Sequence, residues 1–438
     1  MLGCAGDRSA LTFVRCAMAM TKKPVTGMKD ILPAEMQVRN YVTDQIRATY
    51  ESFGFTQIET PCMENIGNLQ SRQGGENEKL IFKVLKRGEK LDIPAAQTEA
   101  DVVDCGMRYD LTVPLARFYA NNQSQLPTPF KALQMGNVWR ADRPQRGRFR
   151  QFMQCDIDIL GDASPLAEIE LILATTTLLG KIGFEGFTVC FNDRRILKAM
   201  ASACGFLPQD FDRVFIILDK MDKIGVQGVC DQLIQSGFSG AQAESCMELF
   251  NELDSSDDKL ACLEQRLSGY LEPGIIDSIR EIFDSVNAAA SCRFRLEADP
   301  TLVRGMSYYT GSIFEIKMDE LGSSVAGGGR YDEMIGRFTG ISTPACGFSI
   351  GFERIITILM EKGFTVPGQS EKEAYLLAKD LSGEKRSLVM ALAGRERAGG
   401  RSVLVVNMNK NKKFQKEQLL SQGYTAFREF YNDTDIQR

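Results

Sequence analysis

The sequence of 438 residues contains no histidine. Imidazole is the side chain that most readily moves protons near neutral pH, so this absence excludes a histidine general base and a Ser–His or Cys–His nucleophile pair. It also excludes metal sites that use imidazole ligands. Any catalysis by this chain would therefore use arginine, carboxylate and tyrosine side chains together with bound metal.

The twelve cysteines are scattered, and no pair has Cys-x-x-Cys spacing. Without that spacing and without histidine, we do not expect a zinc site built from Cys and His ligands. Unpaired cysteines are typical of a reducing compartment, which predicts a cytoplasmic protein. No apolar stretch is long enough to cross a bilayer, and Arg8 and Arg15 interrupt the first twenty residues. We therefore expect neither a membrane partner nor a signal peptide. Because Met18 and Met20 precede a Lys-Lys-Pro, we interpret residues 1–20 as an upstream start or a disordered leader.

The overall composition is that of an ordinary globular chain, with 44% hydrophobic and 25% charged residues. This length favours two or three domains. Because the net charge is −5, any contact with nucleic acid would have to come from local basic patches. One candidate patch lies at 140–150. A second is the lysine run at 410–416, for which a simple solvated face is the plainer interpretation.

Arginine is densest in the segment 138–161, which reads VWRADRPQRGRFRQFMQCDIDILG. Its five arginines surround a Pro-Gln-Arg-Gly turn: Arg140, Arg143, Arg146, Arg148 and Arg150. Along the strand that follows, Phe152, Gln154, Asp156 and Asp158 lie on one face, and Met153, Cys155, Ile157 and Ile159 lie on the other. Guanidinium groups bind phosphates in a bidentate manner. The segment therefore predicts an anion-binding loop beside a carboxylate-bearing strand. A basic surface loop and a solvated strand are the alternative, which five arginines around a tight turn disfavour.

Hydrophobic periodicity predicts an α+β fold rather than a chain of alternating βαβ units. The predicted helices are 34–53, 166–179 and 352–362, and the predicted strands are 55–60, 131–139, 150–160, 292–297, 311–318, 347–351 and 402–407. Helical periodicity dominates from about 196 to about 290. Residues 363–372 have the composition of a linker.

The segment 138–161 resembles motif 2 of the class II aminoacyl-tRNA synthetases, in the form typical of histidyl-tRNA synthetases. Other segments resemble the same family, in the family's order: GMKDILP at 27–33, RYDLTVPLAR at 108–117, NDRRIL at 192–197, LVRGMSYYTGSIFEI at 302–316, GGGRYDEMIGRF at 327–338 and the motif 3 segment GFSIGFERI at 347–355. The resemblance implies a class II catalytic core, an antiparallel sheet flanked by helices, over 21–364. It also implies a helical insertion at about 196–290 and a short α/β domain of the anticodon-binding type, reduced in length, at 373–438.

In this family the motif 2 arginine, here Arg140, contacts the α-phosphate of ATP. The resemblance places Asp142 and Arg148 beside it and Phe152 under the adenine, although core packing is an alternative for Phe152. Arg354 matches the motif 3 arginine. Gly347 and Gly351 are predicted to leave room for the nucleotide, although tight packing would also explain small residues there.

For the amino acid, the resemblance assigns seven residues besides Arg304 to the histidine site: Asp110, Thr112, Gln154, Asp158, Tyr308, Tyr309 and Tyr331. Arg304 matches an arginine special to the family, placed opposite Arg140 across the α-phosphate. Two arginines facing the developing charge suit a chain without histidine, because the substrate's own carboxylate is the nucleophile in adenylation.

The resemblance therefore implies a ligase that uses ATP, L-histidine and tRNA(His) by way of histidyl-adenylate, with Mg²⁺ held mainly by the ATP phosphates. It also implies a homodimer formed around Pro61 of motif 1. The alternative is the histidine-sensing regulatory subunit of ATP phosphoribosyltransferase, a non-catalytic relative that typically lacks the anticodon domain. Arg140, Arg304 and Arg354 favour the ligase, because a regulatory relative has no need of phosphate-binding arginines. A free-standing RNA-binding module would not explain the carboxylate face.

Overall fold

The computed structural model describes residues 21–70, 79–304, 308–318, 323–368 and 371–436. The predicted leader at 1–20 lies outside these residues. The α-helices within them are α1 (Pro33–Ser52), α2 (Ile66–Leu69), α3 (Glu99–Val102), α4 (Thr112–Asn122), α5 (Leu166–Lys181), α6 (Arg194–Ala203), α7 (Phe211–Leu218), α8 (Met221–Gln235), α9 (Gly240–Ser255), α10 (Lys259–Arg266), α11 (Ile275–Ala289), α12 (Glu333–Thr339), α13 (Phe352–Glu361), α14 (Gly383–Ala398) and α15 (Lys412–Leu420).

The strands of the described residues form three sheets. They are β1 (Thr56–Ile58), β2 (Met63–Asn65), β3 (Lys83–Leu85), β4 (Val103–Met107), β5 (Phe130–Trp139), β6 (Gln151–Leu160), β7 (Thr188–Asp193), β8 (Arg295–Ala298), β9 (Ser312–Met318), β10 (Ser323–Arg330), β11 (Ala345–Ile350), β12 (Lys372–Leu377), β13 (Ser402–Asn407) and β14 (Tyr424–Phe430). The largest has eight strands in the order β1-β5-β6-β11-β10-β9-β7-β8. Its neighbours run antiparallel, except that β1 is parallel to β5 and β8 is parallel to β7. The predicted mixed fold with a central antiparallel sheet is therefore confirmed.

The strand β6 lies near the middle of the large sheet, and its alternating sequence divides the two faces. Cys155, Ile157 and Ile159 are at most 1% exposed and point toward the core. Helices α1, α5 and α13 cover that face, since α5 packs against β11 and β6, and α13 packs against β6 and α1. The polar residues of β6 consequently lie on the opposite face, where a cavity opens.

The predicted elements agree with the structure closely, with small differences that have local causes. The helix predicted at 34–53 is α1, which begins at Pro33 because the first helical position needs no backbone N–H, and Gly54 follows its end with φ of +81°. The strand predicted at 55–60 is shorter in the structure. The carbonyl of Thr60 accepts a hydrogen bond from Arg108 Nη1 at 2.6 Å, so a side chain and not a neighbouring strand is its partner.

Helices α6–α11 lie between the adjacent parallel strands β7 and β8, in the region where helical periodicity dominates the sequence. Helices α6–α10 pack on their chain neighbours, whereas α11 packs against α5. The last of these helices therefore belongs to the layer that covers the large sheet.

The chain after residue 371 forms a parallel sheet of three strands, in the order β13-β12-β14. Separate apolar clusters lie on its two sides, one around Tyr375 and Val389 and the other around Leu376 and Leu419. Among the described residues, no helix combines the length and the apolar composition needed to cross a membrane.

Candidate active site

A cavity of about 670 Å³ lies on the polar face of the large sheet. Strand β6 forms its floor, and β9, β10, β11 and the loop between β5 and β6 form its walls. All of the site residues predicted from the sequence line this one cavity: Asp110, Thr112, Arg140, Asp142, Arg148, Phe152, Gln154, Asp158, Arg304, Tyr308, Tyr309, Tyr331 and Arg354. The fold thus brings together residues that are up to 244 positions apart, from Asp110 to Arg354.

One end of the cavity, here called the carboxylate end, contains Asp110, Asp156 and Asp158, which are 2%, 4% and 3% exposed. Asp158 Oδ1 accepts a hydrogen bond from the Tyr331 hydroxyl at 2.5 Å, and Asp110 Oδ1 accepts one from the backbone N–H of Val113 at 3.1 Å. The second carboxylate oxygens of Asp110 and Asp158 are buried without a partner in the protein. Buried acceptors of this kind are costly unless a ligand satisfies them.

Burial raises the pKa of all three carboxyl groups at this end. The pKa of Asp156 rises to about 7, through burial and the nearby charge of Asp110. Burial, reinforced by Asp156, holds the pKa of Asp158 well above its ordinary value, and burial also raises the pKa of Asp110. A ligand with a positive amino group and an N–H donor would complement this end, because it would favour the ionised carboxylates.

Three tyrosines enclose the carboxylate end. The ring centroids of Tyr308 and Tyr309 are 4.8 Å apart, and the ring of Tyr308 meets that of Tyr331 edge-on at 6.0 Å. The backbone next to Tyr331 is anchored by Arg330, whose guanidinium forms hydrogen bonds of 2.8 and 2.7 Å with Glu168 of α5. The buried Arg330–Glu168 ion pair therefore fixes the backbone from which the Tyr331 hydroxyl reaches Asp158.

The other end, here called the arginine end, contains Arg140, Arg148, Arg304 and Arg354. Arg140 donates from Nε to the Tyr109 carbonyl at 2.8 Å, and its guanidinium lies 5.1 Å from the centroid of the Phe152 ring. Burial lowers the pKa of Arg354, and the charges of Arg148 and Arg304 lower it further. Since several cations crowd this end, a polyanion such as a triphosphate is the ligand that complements it.

Arg304 is held in an unusual backbone conformation. Among the described residues it is the one non-glycine residue with a positive φ, of 59°. Its guanidinium donates to Glu315 Oε2 at 3.1 Å and lies against Gly327, where any Cβ would overlap with it. Its Nε is buried without a partner. Residues held in sparsely populated backbone conformations are often found at functional sites, and Arg304 lines the cavity.

The structure corrects two expectations about the nucleotide side. Of the five arginines around the turn, Arg140 and Arg148 line the cavity, whereas Arg146 pairs with Glu361 at 2.5 Å and Arg150 donates to the Asp142 carbonyl at 3.1 Å. These two arginines thus contact other parts of the protein, and the Arg146–Glu361 pair is exposed on the surface. Arg143 does not line the cavity either.

The second correction concerns Gly347, which pairs with Asp158 across strands β11 and β6. A Cβ at this position would overlap with Asp158 Oδ1 and lie 3.3 Å from Tyr331 Cε1. The absence of a side chain at Gly347 therefore makes room for the Asp158 carboxylate and not for the nucleotide. At Gly351 a Cβ would lie 2.9 Å from the backbone carbonyl oxygen of Val325, so tight packing against β10 also accounts for this glycine.

Several cavity residues were not among the predicted site residues. Asp156 shares the face of Gln154 and Asp158, so the alternation already indicated it. Glu315 and Lys317 are the two charged residues of β9, and each lies between apolar neighbours, which is a weaker signal. The turn between α7 and α8 also reaches the cavity through Leu218, Asp219, Met221 and Lys223. No sequence signal pointed to this turn, because only tertiary packing brings it to the sheet.

Comparison with known proteins gives a consistent result. A family model described as histidyl-tRNA synthetase matches residues 27–355. The histidine–tRNA ligase of Leifsonia xyli subsp. xyli is 42% identical over 417 residues, which are 94% of this chain and 95% of that protein. The histidine–tRNA ligase of Flavobacterium johnsoniae is 37% identical over 376 residues, with 78% of each chain covered.

A solved structure agrees with these relatives. The crystal structure of histidyl-tRNA synthetase from Nostoc sp. PCC 7120 superposes with a TM-score of 0.74 at 26% identity, covering 92% of this chain and 90% of that one. The similarity therefore extends over nearly the whole length of both chains.

Proposed function

The chain belongs to the histidyl-tRNA synthetase family and ligates histidine to tRNA, and we propose that its cavity activates histidine with ATP before the transfer. The observation that carries this proposal is the division of one cavity into a carboxylate end and an arginine end. An amino acid and a triphosphate bound at these two ends would meet with their reacting groups between them. Positioning of this kind is the main requirement of adenylation.

At the carboxylate end, Asp110 and Thr112 hold the α-amino group and Asp158 accepts from an imidazole N–H. Gln154 lines the same floor and donates from Nε2 to Asp156 Oδ2 at 3.1 Å, while Tyr308, Tyr309 and Tyr331 enclose the side chain. The unpartnered oxygens of Asp110 and Asp158 support these assignments. An amino acid with an apolar side chain of similar size would still satisfy Asp110 with its α-amino group but would leave the Asp158 acceptor unsatisfied, so Asp158 favours histidine over it.

At the arginine end, Phe152 lies under the adenine, and Arg140, Arg148 and Arg354 bind the phosphates with Asp142 beside them. The histidine carboxylate attacks the α-phosphorus, the bond to the β-phosphate oxygen breaks, and diphosphate leaves. Arg140 and Arg304 neutralise the charge that develops on the α-phosphate. In the second step a ribose hydroxyl of tRNA attacks the histidyl carbonyl, AMP leaves, and the hydroxyl proton passes to solvent. Neither step requires an imidazole of the protein.

The proposal includes Mg²⁺ bound mainly to the ATP phosphates, where it would reduce their charge repulsion. Among the described residues, no group of three or more Cys, Asp or Glu side chains is placed to hold a metal ion. Besides Asp142, the carboxylates of Glu315 and Glu353 line the arginine end, and each of these two pairs with an arginine. A protein-built metal cage does not fit this arrangement, although Glu315 could add one oxygen to a phosphate-bound ion.

The proposal also includes a homodimer and a cytoplasmic location. The dimer rests on the resemblance of the segment around Pro61 to motif 1, whose helix α1 is joined to the site by the buried pair of Arg39 and Glu353 at 2.7 Å. The location is supported by the free thiols of the cysteines in the described part of the chain.

The regulatory-subunit alternative is not favoured, because the curated relatives at high coverage are ligases. A structure described as an ATP phosphoribosyltransferase regulatory subunit/histidyl-tRNA synthetase from Bacillus halodurans C has a TM-score of 0.72, but at 21% identity this likeness concerns the fold alone. A protein that only senses histidine would not need the phosphate-binding residues of the arginine end.

The direct test of the proposed function is histidine-dependent exchange of diphosphate into ATP by the purified full-length chain. We expect exchange with histidine and none with leucine or glutamine. A chain that binds histidine but shows no exchange would contradict activation in this cavity and would favour the sensing alternative.

Replacement of Gly347 tests the carboxylate end alone. We expect Gly347→Ala to raise the KM for histidine by about tenfold, because the new Cβ displaces the Asp158 carboxylate and weakens a charge-assisted hydrogen bond. The KM for ATP should change little. The matched control is Gly394→Ala in α14, where a Cβ meets no atom within 4 Å. Equal increases in both KM values for Gly347→Ala would indicate a general distortion of the sheet instead.

Histidine binding should depend on pH through Asp156. Burial raises the pKa of Asp156 to about 7, and a bound ammonium group favours the ionised form, so histidine binding lowers this pKa. Histidine affinity should therefore increase as the pH rises toward about 7, with release of roughly half a proton per site near that pH. Calorimetry in buffers of different ionisation enthalpy measures this release. In Asp156→Asn the imidazole of the bound histidine still titrates, but the proton release that comes from Asp156 should disappear. An unchanged proton release would mean that a group other than Asp156 loses the proton.

A further inference from the structure

One segment that resembles the family has no part in the proposed function. Residues 192–197 read NDRRIL and form the end of β7 and the start of α6. Among the described residues that line the cavity, none comes from this segment. Asn192 is nevertheless only 3% exposed, and its side-chain amide is hydrogen-bonded to residues that shortly precede Arg304. The segment therefore reaches the site indirectly, through the backbone that carries Arg304.

The strands β7 and β8 run parallel, and their backbone pairing ends next to Asn192. Phe191 pairs with Ala298, and the Phe191 carbonyl accepts a hydrogen bond from the N–H of Asp299 at 2.8 Å. Proline follows at position 300, and it has no N–H with which to continue the ladder. The chain leaves the sheet there in a turn, which is closed by a hydrogen bond from the Leu302 N–H to the Asp299 carbonyl at 3.0 Å.

The side-chain amide of Asn192 holds this turn from the side of β7. Its Nδ2 donates to the carbonyl of Pro300 at 3.3 Å and to that of Leu302 at 2.9 Å. One amide group thus binds two carbonyls of the turn, and the second of them lies two residues before Arg304. The two N–H donors of an amide can make both bonds, whereas a carboxylate of the same shape can make neither.

The position of Asn192 is itself fixed by the elements on both sides of it. Its backbone pairs with Ile313 of β9, and the next residue, Asp193, pairs with Ser312. Asp193 also caps α6, because its carboxylate accepts a hydrogen bond from the N–H of Arg195 at 2.8 Å. The amide that holds the turn therefore extends from a strand end that is fixed by a sheet pairing and by a helix cap.

Arg304 depends on such support because of its backbone conformation. A positive φ of 59° is costly for a residue with a side chain, and it persists only where the surroundings fix it. Glu315 and Gly327 fix the guanidinium group of Arg304. The turn that Asn192 holds fixes the backbone on the N-terminal side of Arg304.

We propose that Asn192 is a positioning residue for the activation of histidine, and that it acts through Arg304 without touching either substrate. The inference rests on the proposed function, in which Arg304 neutralises the charge that develops on the α-phosphate. Without the amide the turn relaxes, and the Arg304 guanidinium lies away from the place where that charge develops. A displacement of about 1 Å from a preorganised position can lower a rate by about a hundredfold. Asn192 therefore affects the rate of activation and not the affinity for histidine.

The experiment measures histidine-dependent diphosphate exchange by the full-length wild-type chain, by Asn192→Asp and by Asn192→Ala. The first variant keeps the shape of the side chain and loses the donors, and the second loses the donors without adding a buried charge. Rates are divided by the number of histidine sites counted by equilibrium binding on the same preparation, so that unfolded protein does not contribute. We expect kcat to fall by on the order of ten- to a hundredfold in both variants, while the dissociation constant of histidine changes by less than about twofold.

The matched control is Gln415→Ala in the part of the chain after residue 371. Gln415 is also a buried amide, 7% exposed, and its Nε2 donates to the Asn407 carbonyl at 2.9 Å. Its removal deletes a bond of the same chemistry at a place that does not line the cavity. Gln415→Ala should therefore exchange diphosphate at nearly the wild-type rate per histidine site.

A double-mutant cycle separates positioning from a general structural role. In the Arg304→Ala background there is no guanidinium left to displace, so Asn192→Ala should lower exchange by less than about a further twofold. Equal losses in both backgrounds, unchanged exchange in Asn192→Ala, or a loss of histidine affinity in place of the loss of rate would each overturn the assignment of Asn192 alone. An absence of exchange in the wild type would overturn the proposed function and the role of Asn192 together.

Discussion

Arg304→Ala is expected to reduce histidine-dependent diphosphate exchange by at least about a hundredfold, the scale of losing one preorganised charge stabiliser. The reason is the position of Arg304 at the junction of the two ends of the cavity, with its guanidinium fixed between Glu315 and Gly327. The affinity for histidine should change far less, because the carboxylate end keeps its own contacts. Exchange kinetics and equilibrium binding of histidine, measured on the same preparation, give the two quantities.

Two further variants distinguish loss of catalysis from disturbance of the fold. Arg304→Ala leaves the Glu315 carboxylate without its partner, so the double variant Arg304→Ala with Glu315→Gln should keep the low exchange rate while relieving any loss of stability. Arg146→Ala removes an arginine whose partner, Glu361, lies outside the cavity, and it should exchange nearly as well as wild type. Ordinary exchange by a folded Arg304→Ala variant would contradict the two-arginine mechanism.

The sequence predicted which strands and loops line the cavity better than it predicted which side-chain contacts their residues make. The alternation of β6 predicted a polar face, and its Gln154 and Asp158 do line the cavity. Arg304 and the tyrosines could be located only through the family resemblance, since no periodicity marks the segment around Tyr308. The density of arginines predicted a larger anion site than the cavity contains, because Arg146 and Arg150 contact other parts of the protein instead.

What the sequence could not predict depends on contacts between distant segments. Gly347 lies in motif 3, which favours a nucleotide role, yet its register with Asp158 places it under the carboxylate end. The α7–α8 turn lies about 80 residues before Arg304 in the chain, and only the packing of the helices between β7 and β8 brings it to the cavity. Strand register and helix packing are set by the whole core, so local patterns carry little information about them.

Asp158→Ala is expected to weaken histidine binding by on the order of ten- to a hundredfold, the cost of losing a hydrogen bond to a charged group. The affinity for ATP should change much less, since Asp158 lies at the carboxylate end. Equilibrium binding of each substrate alone measures both effects. Equal losses for the two substrates would mean that Asp158 supports the sheet and does not select the side chain.

The Asp158 effect should also depend on Tyr331, because the hydroxyl of this tyrosine is the one protein donor among the described residues that is hydrogen-bonded to the buried carboxylate, at 2.5 Å. Tyr331→Phe removes that donor and leaves a fully unpartnered carboxylate, which destabilises its ionised form and should weaken histidine binding. In the Asp158→Ala background the same change should have little further effect on binding. A double-mutant cycle measures this coupling. If Tyr331→Phe weakens histidine binding equally in both backgrounds, the tyrosine contacts the ligand directly, and the carboxylate is oriented by other contacts.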